Sequence, residues 1–249
     1  MGISRRDLLM AGVGTVCGGL GGAALRGYLA RPTGQPHAVG GSHGSAGEQP
    51  PGGPSAQKAL ELLIEGNRRF ASGQPTHPHV SRQWRTGLTK EQHPYAVILG
   101  CADSRVAPEV VFDEGLGELF VVRQAGHVAD DDTLGSIEYA VGHLHVPLVV
   151  VLGHQGCGAV SAAVGAVLRD EPVEGHILRL VDDIAPVVPE GKGATVGVID
   201  QVVRANVEQV VRRLRVCYPV LRSRVHRGEL RVVGAYYPLE TGVVEWLQI

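Results

Sequence analysis

Residues 55–249 predict an α/β fold, with a central, mainly parallel sheet of four strands, flanking helices and a short antiparallel edge strand. Short runs of Val, Ile, Leu and Ala bounded by turn residues alternate with segments of helical periodicity, the order that builds a parallel sheet. Apart from Arg231, the runs are continuously apolar, as strands covered on both faces require. With 44% of residues apolar and only 4% aromatic, the core must be aliphatic. The length suffices for one domain of ordinary size or two small ones.

The elements follow in order. Ser55 is a capping residue, and behind it Ala59, Leu60, Leu62, Leu63 and Phe70 recur at helical spacing. The first strand is Ala96 to Leu99 and the second Leu119 to Val122. A helix over 134–144 leads to the third strand, Pro147 to Leu152. Helices over 159–168, 177–188 and 201–216 come next; in the last, Val203, Val207, Val210, Val211 and Leu214 form one stripe. Leu230 to Ala235 is the fourth strand. Gly242 then separates Val243 to Leu247, the antiparallel edge strand. No internal repeat is present.

Composition excludes several classes of function. Lys and Arg total 23 against 25 Asp and Glu, a formal net charge of -2, so no basic excess exists to neutralise a phosphate backbone. The apolar fraction is too high for a disordered chain. Four cysteines in 249 residues do not make a disulfide scaffold.

Residues 1–30 look like an address. Ser4-Arg5-Arg6-Asp7 precedes a Gly/Ala-rich apolar run from Leu8 to Leu25, which resembles a bacterial twin-arginine export signal. Gly22-Ala23-Ala24 offers a small-residue cleavage site, and Leu29-Ala30 a weaker one. Left uncleaved, the segment is long enough to anchor the chain in a membrane, although its glycines make it a poor span. Cys17 lies inside this segment and takes no part in the mature protein on this reading. Residues 31–54 are rich in Gly, Pro and Ser and form a flexible linker. An extracytoplasmic location follows.

Two segments after strand ends carry the chemistry. The first strand runs into Cys101-Ala102-Asp103-Ser104-Arg105, and the third into Gly153-His154-Gln155-Gly156-Cys157-Gly158. Ligand sites of open parallel sheets form beyond the carboxyl ends of neighbouring strands. If these strands adjoin, Cys101, His154 and Cys157 converge: two thiolates and an imidazole, a donor set suited to zinc with a fourth position open. A Cys101–Cys157 disulfide and plain core packing are the alternatives. Core packing suits Cys217, near the end of the long helical stripe. His127, His143, His145 and His176 have no ligand partners at useful spacing and read as surface or helix residues, one of which would suit a proton shuttle.

Cys-Ala-Asp-Ser-Arg followed by His-Gln-Gly-Cys-Gly resembles the paired signature of the β-class carbonic anhydrases. Val106-Ala107-Pro108-Glu109, Phe120-Val121-Val122-Arg123, Ala125-Gly126, Ser136-Ile137-Glu138-Tyr139-Ala140 and Gly234-Ala235-Tyr236-Tyr237 extend the likeness across residues 55–249. Gln124 and His127 depart from it, since many relatives have Asn at both positions; these residues are expected to tune the pocket.

The resemblance implies a zinc enzyme that hydrates carbon dioxide reversibly to bicarbonate and a proton. Cys101, His154 and Cys157 would hold Zn²⁺, which lowers the pKa of a bound water from ~16 toward ~7. Asp103 would orient the resulting hydroxide, held ionised by a bidentate pair with Arg105. In relatives that switch to a closed state, where the aspartate takes the fourth zinc position, a tryptophan lies three residues before the first cysteine. Ile98 stands there instead, so an open site at neutral pH is expected. Gln92 matches a substrate-binding glutamine given by the neighbouring subunit, which implies a homodimer or tetramer. The Gly158 amide is a second substrate contact, and Val106, Phe120 and Tyr139 are expected to line the pocket. Two other functions fit the same frame: a carbonyl sulfide or carbon disulfide hydrolase, and a non-catalytic exported zinc-binding protein. The second has no use for Asp103, Arg105 or Gln92.

Overall fold

The structure is a computed structural model that describes residues 53–191, 193–217 and 219–249. The export signal at 1–30, Cys17 and the linker up to residue 52 lie outside the described residues. Among the described residues, no helix is long and apolar enough to cross a membrane.

Helix α1 (Ala56–Ala71) begins where Ser55 accepts a hydrogen bond from the Lys58 amide. A short helix α2 (Arg82–Gly87) precedes strand β1 (Ala96–Gly100), and α3 (Pro108–Val111) precedes β2 (Leu119–Arg123). A 3₁₀ turn at Ala125–His127 leads into α4 (Asp131–His143), capped by Asp130, and then β3 (Leu148–His154). Helices α5 (Gly158–Arg169), α6 (Ile177–Ile184), α7 (Val196–Val216) and α8 (Val220–His226) follow, and β4 (Arg231–Tyr237) and β5 (Glu245–Leu247) complete the sheet.

The strand order is β2-β1-β3-β4-β5, parallel except for β5, which runs antiparallel to β4. Consecutive strand residues face opposite sides. Val97, Leu99, Val149 and Val151 therefore pack with Ile137, Val207, Val211 and Leu221 from α4, α7 and α8. Ala96, Ile98, Val150 and Leu152 pack on the other face with Ala59, Leu63 and Phe112. Both faces of the central strands are covered, as their continuous apolar runs require. Cys217 is buried in the first of these cores.

The structure corrects several expected boundaries. The helix expected over 177–188 ends at Ile184 and continues as a 3₁₀ turn at Ala185–Val187, because Pro186 cannot extend an α-helix. Helix α7 starts five residues before the expected 201, at Val196, where the Thr195 hydroxyl accepts from the Val198 amide. Strand β3 runs through Gly153 and His154, which pair with Tyr236 and Tyr237, so His154 stands on the last rung of the sheet rather than in a loop. The edge strand starts at Glu245 rather than Val243. Helices α2, α3 and α8 have six, four and seven residues, too few turns to give a periodic signal.

Candidate metal centre

In the order β2-β1-β3-β4, the chain leaves β1 toward one side and returns on the other, so the topological switch lies between β1 and β3. Cys101 follows β1 directly, His154 ends β3, and Cys157 is the residue before α5. The two strands are parallel neighbours, so their carboxyl ends lie side by side. One ligand atom from each residue falls within 4.8 Å of the other two, and all three residues are buried.

Chemistry and geometry both fit zinc. The Cys101 and Cys157 sulfurs are 3.9 Å apart. Two Zn–S bonds of ~2.3 Å at a tetrahedral angle put sulfurs ~3.8 Å apart. No disulfide joins them. His154 Nδ1 lies 3.0 Å from the Gln155 carbonyl and donates to it, which leaves Nε2 as the lone-pair nitrogen. That Nε2 is buried with no hydrogen-bond partner, an arrangement a metal satisfies.

The thiols are unequal. The hydrogen bond from Cys157 holds the Cys101 thiol far below its usual range, against burial and with help from His154 and the Gly126 amide. The same bond, together with burial, pushes the Cys157 thiol up; the Val160 and Ala159 amides at the start of α5 act in the opposite direction.

Asp103 stands beside this trio. Its Oδ1 accepts from the Arg105 backbone amide and from Nε, both at 2.9 Å, and its Oδ2 accepts from Nη2 at 2.7 Å. Asp103 Oδ2 is 3.9 Å from His154 Nε2. Arg105 holds the carboxyl well below the usual carboxylate range, with burial opposing and His154 contributing. Arg105 Nη2 also reaches the Gly156 carbonyl at 3.5 Å, tying the two ligand segments together.

Most other expected site residues lie elsewhere, Gly158 beside Cys157 excepted. Gln92 is exposed in the loop before β1, at the opposite end of that strand from Cys101. Five strand residues span ~16 Å, so Gln92 does not reach its own chain's trio. Val106 has no exposed surface and packs with Ile98 and Val111, which makes it a core residue rather than a pocket wall. Phe120 pairs with Val97, in the amino half of β1. Its ring neighbours Tyr139, which in turn neighbours His143, and Tyr139 is 48% exposed. This row faces outward and lies away from its own chain's trio. Gly158 is exposed as the first residue of α5.

Several contributors were missed. Arg123, at the end of β2, donates to the Cys101 carbonyl at 3.1 Å and the Asp103 carbonyl at 2.6 Å, fixing the first ligand segment. An arginine ending a strand beside the cysteine strand is the signal that marks it. His127 is no surface residue: it is 0% exposed, with Nε2 3.0 Å from the Asn206 amide nitrogen. Burial pushes its pKa down to about 4, so the ring is neutral at pH 7. The other departure from the family pattern, Gln124, donates to Asp130 Oδ2 at 2.9 Å and braces the cap of α4. His143, His145 and His176 are exposed, as expected.

This is the layout of an α/β enzyme with a cluster that could hold a metal at the carboxyl edge of its sheet. Comparison with known proteins narrows the class. The carbonic anhydrase family profile matches residues 96–244. Carbonic anhydrase 2 of Mycobacterium tuberculosis is 46% identical over 184 residues, 74% of this chain and 89% of that protein. The carbonic anhydrase of Mycolicibacterium smegmatis is 43% identical over 187 residues, covering 75% and 91%. Among solved structures, the Coccomyxa β-carbonic anhydrase in complex with acetazolamide is 30% identical with a TM-score of 0.56, covering 76% of this chain and 86% of that one. The chain belongs to the carbonic anhydrase family, in its β class, and carbon dioxide hydration is that family's general reaction.

Proposed function

We propose that this carbonic anhydrase is a zinc enzyme with an open site, in which Asp103 and Arg105 orient the attacking oxygen, and that it works outside the cytoplasm as a dimer or larger assembly. The observation that carries the reading is the Asp103 carboxylate, locked by three donors from Arg105 with Oδ2 3.9 Å from His154 Nε2.

Cys101, His154 and Cys157 would hold zinc, which supplies a Lewis acid that lets water ionise near neutral pH. Asp103 stays ionised beside its guanidinium and therefore only accepts hydrogen bonds. An oxygen nucleophile next to it must turn its O–H toward Oδ2, which aims a lone pair at the incoming carbon. Arg105 also keeps the carboxylate occupied, so Asp103 is not drawn in as a further ligand.

Assembly is supported by β2, which pairs on one side only and is half-buried over its first four residues. An unpaired edge strand needs cover. Gln92 and the Phe120–Tyr139 row serve a substrate pocket only if a second chain brings them to it. Export is supported by Arg5-Arg6 and the apolar run behind them.

The test is metal analysis with stopped-flow carbon dioxide hydration. One zinc per chain is expected, with hydration reduced about 10–100-fold in Asp103→Asn at unchanged zinc content. Stoichiometric zinc without hydration in the unaltered protein would return the reading to a storage or structural zinc protein.

A further inference from the structure

Two thiolates donate more charge to a metal than imidazoles do, and that weakens its power to acidify water. The structure contains a device that draws charge off one of them. The Gly126 backbone amide points at the Cys101 sulfur, N to Sγ 3.3 Å. This is the second residue of the 3₁₀ turn at Ala125–His127, and its φ of 70° lies in the left-handed region. The His127 amide donates to the Gln124 carbonyl at 2.7 Å, closing a tight turn whose third residue, Gly126, is left-handed. His127 behind it is also left-handed, at φ 45°.

What ties this turn to the core is Asn206, in the middle of α7 and 1% exposed. Its amide nitrogen donates to the Gly126 carbonyl at 2.9 Å and to His127 Nε2 at 3.0 Å. Its carbonyl oxygen accepts from Gln209 Nε2 at 3.3 Å, and Gln209 also donates to the Asp183 carbonyl at 3.0 Å. Both amide hydrogens of Asn206 and its oxygen are therefore used, which fixes the orientation of the side chain. From the other side, Ile184 and Ala159 press on Gly126, where an added Cβ would meet them at 2.8 and 3.1 Å.

We infer that Asn206, braced by Gln209, is a positioning residue for the metal centre: it clamps the 125–127 turn so that the Gly126 N–H donates to the Cys101 thiolate and lowers the charge that sulfur gives to the metal. The inference rests on the reading of Cys101, His154 and Cys157 as ligands. No other part of Asn206 faces the trio, so its action runs through the turn. Buried polar side chains in the middle of a core helix are tolerated only when fully paired. Asn206 is paired, and its partners belong to the segment that touches a ligand.

Cobalt(II) in place of zinc gives the test, because sulfur-to-cobalt charge-transfer bands report the electron density on the thiolates. Asn206→Leu removes both donors to the turn and Asn206→Ser keeps at most one on a shorter side chain, so the amide drifts from Cys101. The sulfur becomes more electron-rich and the band moves to longer wavelength. Gln209→Leu gives the same shift to a smaller degree and serves if the Asn206 variants do not accumulate. Hydration at saturating carbon dioxide falls about tenfold in Asn206→Leu. Val210→Ala, on the same helix but in the α4/α8 core, loses stability and leaves the band in place. Sulfur-to-cobalt bands in the unaltered protein that stay fixed in the Asn206 and Gln209 variants, or that move equally in Val210→Ala, overturn the clamp while leaving the ligand reading intact. Absence of such bands from the cobalt-loaded unaltered protein overturns the ligand reading itself.

Discussion

Gly153 is where sheet, helix and candidate metal centre meet, and Gly153→Ala measures how tightly they are joined. The residue precedes His154 on the last rungs of β3 and pairs with Tyr236. A Cβ there would lie 2.7 Å from both Val203 Cγ1 and Val207 Cγ2, and 3.4 Å from His127 Cε1. Ordinary carbon contacts sit at ~3.5–4.0 Å, so about 1 Å must be found. The two valines cannot swing away, because β-branched side chains in a helix hold essentially one χ1 rotamer. Either α7 recedes from the sheet or β3 shifts beside His154. Overpacking of this kind costs about 1–3 kcal/mol. For a domain of this size that is roughly 3–10 °C in Tm. Thermal unfolding and zinc transfer to a chromophoric chelator are the assays, and zinc should leave the variant faster. The double variant Gly153→Ala/Val203→Ala should recover part of the loss, since the clash and the cavity it fills offset each other. An unchanged Tm, or losses that simply add in the double variant, would refute the argument.

Other outcomes follow from the same geometry. Arg105→Ala frees the Asp103 carboxylate from two side-chain donors and should lower kcat/KM about 10–100-fold with zinc retained, read by stopped-flow hydration. Burial, with Glu118 beside it, raises the Glu114 carboxyl from 4.5 to about 8. A raised carboxyl binds its proton more tightly folded than unfolded, so stability falls as pH rises from 4.5 toward 8. Glu114→Gln should therefore be more stable than the unaltered protein at pH 8 and show little difference at pH 4, measured by denaturant unfolding.

Legibility differed by element for physical reasons. The apolar runs of β1 and β3 announced themselves because burial on both faces leaves no room for polar residues. Short helices such as α3 did not, since four residues at Pro108–Val111 carry no periodic signal. The start of α7 was hidden because Thr195-Val196-Gly197 reads as poor helix, yet the Thr195 cap and packing against the sheet override propensity. The disulfide left open by the sequence is excluded by sulfurs 3.9 Å apart.

By itself, the sequence determined the donor types of the candidate metal centre and the carboxylate beside it. Soft donors, a histidine and an Asp-x-Arg spacing are properties of residue identity and of short local segments that follow strand ends. Only the tertiary structure decided which strands adjoin, and hence that Cys101 meets His154 and Cys157 across 53 and 56 positions of chain. It alone turned Val106 inward, put Gln92 at the far end of its own strand, and enclosed His127 under Asn206. Those outcomes depend on contacts between distant segments, whose pairing is set by how the helices cover the sheet rather than by any pattern along one stretch of sequence.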